Sequence, residues 1–229
     1  MDFSAFEKKI GITFKNKDLL RTAFTHRSYL NENRKVGMEH NERLEFLGDA
    51  VLELIVTEYL YAKYPEKDEG DLTSYRSALV NAVTLAGVAE GLGMNDFLLL
   101  SRGETKDTGR ARQVILANTI EAFIGALYQD LGYEATKGFV SRYVFKLVDD
   151  IVSKKKWLDA KSHFQEKAQE IVGVTPSYET VKQEGPDHDK QFTVAVFLGK
   201  ERVAEGDGKS KQEAEQQAAK AGLEAKKWE

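Results

Sequence analysis

Between Gln113 and Leu131 the chain carries Val114, Ile115, Leu116, Ala117, Ile120, Ala122, Phe123, Ile124, Ala126 and Leu127. At about 100° per residue these side chains surround a helix on every side, so the helix must be enclosed by other elements rather than lie on a surface. The fold must therefore wrap a central rod. Two residues one turn apart, Asn118 and Glu121, interrupt the apolar surface. A buried carboxylate without a partner is costly, so Glu121 requires a cation, a hydrogen-bond donor or a metal ion. A core hydrogen-bond network joining helices is the plainer alternative.

A second acid-bearing stretch runs from His40 to Leu52, HNERLEFLGDAVL. On a helix Glu42, Glu45 and Asp49 fall at relative angles of about 0°, 300° and 340°, while Leu44, Leu47, Val51 and Ile55 fall on the other side. Like charges at this spacing repel, and no lysine intervenes to pair them. A clustered acid face beside an apolar one suits a hard divalent cation, because Mg²⁺ takes oxygen ligands and neutralises their repulsion. A solvated acidic face is the bland reading. Phe46, at about 40°, lies near the acids, where a large apolar group calls for cover from a core contact or another surface.

The remainder of the first 150 or so residues reads as helices. Phe3, Phe6 and Ile10 share one face, and Asn16 caps a second helix carrying Leu19, Leu20, Ala23 and Phe24. Polar residues 31–35 break the pattern before the acid stretch, which runs through Tyr61 until Pro65 ends it. A fourth helix from Asp71 or Leu72 buries Leu79, Val80 and Val83 and dissolves near Gly91 and Gly93. Residues 101–109 form a loop. Tyr133–Val152 is a last amphipathic helix, and the basic connector Ser153-Lys154-Lys155-Lys156-Trp157 follows it.

Beyond the connector the periodicity changes. Lys161–Val172 reads as a helix and Tyr178–Gln183 as a strand. Phe192, Val194, Val196 and Leu198 alternate with Thr193, Ala195 and Phe197 in a second strand, and Arg202–Glu205 can form a short third. Gly206-Asp207-Gly208 reads as a turn, and Ser210 with Glu213 makes a capping box for a final alanine-rich helix. The expectation is an all-α domain over residues 1–152, a linker at 153–157, and a small α+β domain of order α-β-β-β-α over 158–229.

With no cysteine there is neither a disulfide framework nor a thiolate metal site. The beginning of the chain has no basic-then-apolar signal, and no apolar run is long enough to span a membrane, so a soluble, cytosolic protein is expected. The net charge is −4, and after Trp157 there are 11 Lys+Arg against 14 Asp+Glu. A nucleic-acid partner must then be held by local charge or through metal.

With both acid helices placed, the N-terminal half resembles the catalytic domain of the ribonuclease III family. Asn41-Glu42-Arg43-Leu44-Glu45-Phe46-Leu47-Gly48-Asp49 carries the resemblance. Thr25-His26-Arg27-Ser28-Tyr29, Glu69-Gly70 and Ile115-Leu116-Ala117-Asn118-Thr119-Ile120-Glu121-Ala122 support it. The C-terminal unit is similar to a double-stranded RNA-binding domain through Gly185-Pro186-Asp187-His188-Asp189-Lys190 and Gly208-Lys209-Ser210-Lys211-Gln212-Glu213-Ala214-Glu215.

The resemblance implies hydrolysis of double-stranded RNA, leaving 5′-phosphate and 3′-hydroxyl ends with a short 3′ overhang. By the same resemblance Glu45, Asp49 and Glu121 match metal-binding acids, with Asn118 beside them, and Glu42 and Glu69 match acids lining the cleavage cleft. The implied cofactor is Mg²⁺, for which Mn²⁺ substitutes, and the implied assembly is a homodimer. Ribosomal and other RNA processing is the implied role. In the second domain Gln165, Glu166 and His188 match residues that cross the minor groove, and Lys209, Ser210 and Lys211 surround a helix N-terminus suited to phosphate. His26 and His40 read as satisfied structural histidines.

Asn118 departs from the pattern, because most members of the family carry aspartate there. An amide oxygen still ligates Mg²⁺, but one negative charge is lost. An active natural variant, a variant active at raised metal or with Mn²⁺, and a protein that binds RNA without cutting it all remain open at this stage.

Overall fold

The structure is a computed structural model describing residues 2–33, 37–153, 159–186 and 190–228. The chain divides into two compact units, Met1–Trp157 and Leu158–Glu229. Connector residues 154–158 and the loop residue His188 lie outside the described residues.

The first unit is helical: α1 Ser4–Ile10, α2 Lys17–Ala23, α3 Arg27–Glu32, α4 Glu42–Lys63, α5 Glu69–Val80, α6 Ala82–Gly91, α7 Arg110–Tyr143 and α8 Val148–Ser153. Asn16 caps α2 as the sequence predicts, accepting from the backbone N–H groups of Asp18 and Leu19. The short α3 carries no apolar spacing that would signal it in the sequence; His26 caps it, accepting from the Ser28 N–H. The expected fourth helix is two. Asn81 leaves helical geometry and turns its side chain to accept from Thr84 N–H, which ends α5 and starts α6. Val83 then sits in the first turn of α6 and is 68% exposed rather than buried.

The predicted rod is α7, and it is longer than its apolar run. At Gly132 the backbone takes φ 81°, a kink that β-carbon-bearing residues resist, and the helix resumes to Tyr143. A 3₁₀ turn, Phe145–Leu147, separates it from α8, so the last amphipathic helix read from the sequence is in fact three segments. Ile115 to Leu127 are buried as expected, except for the two polar interruptions at Asn118 and Glu121; Val114 is exposed. Around α7 the rings of Phe3, Phe6, Phe24, Phe97 and Phe123 meet in pairs that are tilted or edge-on except for the stacked Phe3 and Phe97, with Phe6 and Phe123 at 5.6 Å and 88°. Such pairs add about 0.5–1.5 kcal/mol beyond their buried area.

The second unit has α9 Ala160–Val172, a three-stranded antiparallel sheet in the order β1 Ser177–Glu184, β2 Gln191–Leu198, β3 Glu201–Gly208, and α10 Lys211–Lys226. Phe164, Ala168, Val194, Val196, Ala214, Ala218 and Ala219 form its core. Gly206, Asp207 and Gly208 are not a turn; they continue β3. A β-carbon on Gly206 would lie 2.6 Å from Gln217 Cβ, and one on Gly208 would lie 2.5 Å from Ala214 N. Both glycines are there because α10 presses its backbone against the strand.

Candidate active site

The acid helices meet where both lack side chains. A β-carbon on Gly48 of α4 would collide with the carbonyl oxygen of Glu121 and lie 2.8 Å from Gly125 N. One on Gly125 of α7 would collide with the carbonyl oxygen of Leu44 and lie 3.0 Å from Gly48 N. The backbones therefore touch at this crossing. Glu45 lies one turn before Gly48 and Asp49 directly after it, and Glu121 lies one turn before Gly125, so the approach that excludes side chains from the crossing sets three carboxylates around it.

Their electrostatics follow from that packing. Burial, with Asp49 and Glu45 beside it, pushes the Glu121 carboxyl up to about 8. Among the described residues no cation is among the groups acting on it. Glu45 is also raised, first by burial and then by Glu42, while the Asn118 side chain acts as a donor towards it and draws it back down. Asp49 is exposed at the rim. Among the described residues no group of three or more His, Asp or Glu side chains is drawn together closely enough to hold a metal ion. Carboxylates with nothing between them repel, and an approach to ligand spacing requires a cation to offset that repulsion.

Glu42 stands slightly apart. Its carboxylate lies 3.5 Å from Arg27 Nη1 and 3.8 Å from His40 Nδ1, a half-exposed arrangement that contributes little to stability. Glu69 is the first residue of α5, exposed after its N-cap Asp68. It is not among the charges acting on Glu45 or Glu121. Beneath the site the buried Asn41 anchors the start of α4: its N–H donates to Thr25 O at 2.9 Å and its Nδ2 to Ala23 O at 3.3 Å. The sequence signals neither the role of Asn41 nor that of Arg27, because both act through backbone or a neighbour three-dimensionally adjacent but distant in the chain.

Phe46 is 83% exposed beside these acids. The alternative of a core contact within the unit is thereby excluded.

In the second unit Gln165 and Glu166 lie exposed on α9. Ser210 caps α10 by accepting from Glu213 N–H at 3.1 Å, and Glu213 reaches back to accept from Lys209 N–H at 2.8 Å, one residue earlier than a capping box requires. Lys209 and Lys211 are exposed, and neither ammonium group has an ion pair among the described residues. They flank a helix N-terminus whose backbone dipole favours an anion.

A helical unit whose two acid-bearing helices cross is thus followed in the chain by an α-β-β-β-α module with a basic helix start, a make-up that suits a nucleic-acid-directed, metal-assisted hydrolase. The comparisons bear on both parts: the Ribonuclease-III-like family model matches residues 16–148, and the double-stranded RNA binding motif matches residues 160–226. Ribonuclease 3 of Bacillus licheniformis is 46% identical over 96% of this chain and 88% of its own length. Ribonuclease 3 of Streptococcus agalactiae is 44% identical over 96% of both chains. The solved nuclease domain of ribonuclease III from Campylobacter jejuni, described as having a region involved in dimer formation, matches with a TM-score of 0.58 and 41% identity over 63% of this chain and 97% of its own. The chain belongs to the ribonuclease III family, whose members are double-stranded RNA endoribonucleases, and it is an enzyme of that class.

Proposed function

We propose that the protein hydrolyses phosphodiester bonds of double-stranded RNA with the help of a divalent cation, Mg²⁺ or in its place Mn²⁺, leaving 5′-phosphate and 3′-hydroxyl ends with a short 3′ overhang. The observation that carries this reading is Glu121, a mostly buried carboxyl with Asp49 and Glu45 beside it and, among the described residues, no cation acting on it. A site of this kind is a poor structural core and a good cation site.

Glu45, Asp49 and Glu121 would hold the ion through carboxylate oxygens. The Asn118 carbonyl oxygen would be a further oxygen donor to the ion. When bound, such an ion supplies an activated water, charge stabilisation on the phosphate and help for the leaving 3′ oxygen. Glu42, with Arg27 beside it, and Glu69 line the cleft. The C-terminal module holds the duplex through Lys209, Ser210 and Lys211 at phosphates and through Gln165, Glu166 and His188 across the minor groove. Residues 1–152 act as the catalytic and dimerising domain, 153–157 as linker and 158–229 as the RNA-binding domain.

We infer a homodimer, supported by Phe46 exposed beside the acids. A cytoplasmic role in processing ribosomal and other RNA agrees with a chain without cysteine and with no helix among the described residues long and apolar enough to cross a membrane. The test incubates a long RNA duplex with the protein in Mg²⁺ and in Mn²⁺, beside Glu121→Ala and Asn118→Asp. Cutting by wild type and its loss in Glu121→Ala are expected. Asn118 carries the rival reading, a dimeric protein that binds RNA without cutting it. Binding without cutting in either metal, with cutting restored by Asn118→Asp, establishes that rival.

A further inference from the structure

His26 sits where three pieces of chain converge. Its backbone N–H donates to Leu99 O at 3.1 Å, while Thr25 O accepts from Asn41 N at 2.9 Å. The residues just before α3 are thus clamped between the approach to α4 on one side and the segment leading towards α7 on the other. Thr25 and Leu99 form a parallel bridge there.

The side chain extends this junction. His26 Nδ1 lies 2.8 Å from Ser28 Oγ and 3.3 Å from Ser28 N. The Ser28 N–H has its hydrogen directed at Nδ1, so Nδ1 carries none of its own and the ring is the neutral Nε2–H form. Ser28 Oγ–H then donates to Nδ1, leaving the Ser28 oxygen to accept from Ser101 N–H at 3.1 Å. Ser101 Oγ accepts from Glu104 N–H at 3.2 Å, and Glu104 O accepts from Arg112 Nη2 at 2.6 Å. Arg112 stands on α7, less than two turns before Asn118. A relay of hydrogen bonds, passing through the backbone of Glu104, thus joins the cap of α3 to the first turn of α7, the helix that carries Glu121 further along, and the same residue's backbone neighbours hold the start of α4.

We propose that His26, as the neutral Nε2–H tautomer, is a positioning residue for RNA cleavage: its side chain ties the lead into α7 to the cap of α3 through Ser28 and Ser101, beside the backbone of Thr25 that holds the lead into α4. A protonated ring would put a hydrogen on Nδ1 facing the Ser28 N–H, and the link would open. Burial holds the ring below the usual histidine range; Glu104 and Glu42 oppose this, while Arg27 and His40 favour the neutral form. The proposal rests on the reading of Glu45, Asp49 and Glu121 as the cleavage site.

The test has two arms on the full-length protein. Long-range ¹H–¹⁵N spectra of the imidazole at pH 7.5, with His26 assigned by its loss in His26→Asn, are expected to show an unprotonated Nδ1 and a protonated Nε2. The other tautomer, or a charged ring, overturns the proposal. In the second arm, kcat and KM for a duplex substrate are measured for His26→Ala, His26→Asn and Ser28→Ala. A small misplacement of catalytic groups costs up to about a hundredfold in rate, so His26→Ala is expected to lose about tenfold or more in kcat with KM little changed. His26→Asn, whose side-chain oxygen can still accept from Ser28 N–H, is expected to recover part of that loss, and Ser28→Ala to lose kcat while remaining folded. If wild type cuts and all three variants cut at its rate with lowered melting temperatures, His26 is structural and the proposal is wrong. If wild type itself cuts no duplex, the reading of the site fails and takes this proposal with it.

Discussion

The Asn118 side chain acts as a donor towards the Glu45 carboxylate across the crossing of α4 and α7, and among the described residues it is the neighbour that favours the charged form of Glu45 against burial, Glu42 and Asp49. Replacing it by aspartate removes the donor and adds a fourth negative charge. Without metal, Asn118→Asp is expected to melt lower at neutral pH, because like charges in a half-buried site are mutually destabilising. With metal the sign reverses, since the added charge strengthens cation binding. A titration of RNA cleavage against Mg²⁺ will show half-saturation at lower metal in the variant than in wild type.

Glu121 gives the site a pH dependence. Its folded value, about 8, lies far above the ~4.3 of a glutamate in an unfolded chain. The folded protein therefore keeps a proton that the unfolded chain gives up. That contribution to stability is fully present below about pH 4 and is lost as pH rises through 8. Metal-free protein is expected to fall in melting temperature between pH 5 and pH 8, and Glu121→Gln to remove most of this fall while abolishing cleavage. A bound cation displaces the same proton. Titration calorimetry of Mg²⁺ in buffers of different ionisation heat will show proton release at pH 7 and less of it near pH 9.

The acids were legible in the sequence because helical spacing alone puts Glu42, Glu45 and Asp49 in one arc and makes Glu121 an exception on an apolar rod. Why they meet was not. That depends on Gly48 and Gly125, which carry no side chain for a periodicity argument to read, and on a backbone contact between residues far apart in the chain. Local capping misled in the same way. Asn81 splits an apolar run that reads as continuous, and Gly206 and Gly208 look like a turn until α10 is laid against them. Residue type signals what a backbone permits; only packing decides which permission is used.

Gly48→Ala tests the crossing. The added methyl group meets backbone atoms of Glu121 and Gly125, which no side-chain rotation relieves. Overpacking of ordinary cores costs about 1–3 kcal/mol, and backbone against backbone belongs at the top of that range. A change of about 3 kcal/mol in a domain of this size corresponds to a fall of roughly 10 °C in melting temperature. Circular dichroism will show that fall for Gly48→Ala and Gly125→Ala. Gly87→Ala serves as the control, since a β-carbon there meets nothing within 4 Å.

Lys209 and Lys211 separate binding from chemistry. Both are exposed beside the α10 N-terminus, so replacing them by alanine is expected to leave the melting temperature within about 0.5 kcal/mol equivalent of wild type. Each lost phosphate contact lowers the slope of log affinity against log salt by about one. The double variant is expected to bind duplex RNA more weakly at 150 mM salt, with a slope shallower by about two. An unchanged slope places the phosphate contacts elsewhere on the module.

Phe46 is the sharpest probe of assembly. A phenylalanine that is 83% exposed one residue after Glu45 and three before Asp49 leaves apolar surface in water at the edge of the acid site, and covering it with a second copy of the chain removes that cost. Phe46→Asp keeps a polar side chain in solvent and adds charge to any surface that would cover it. Since the side chain has no core to lose, the helical circular dichroism and melting of the isolated chain are expected to change little. Sedimentation velocity of wild type is expected to give the mass of a pair and that of Phe46→Asp the mass of a single chain. If both sediment as single chains, the exposed ring has another partner and the homodimer is wrong; if both sediment as pairs, the interface lies away from Phe46.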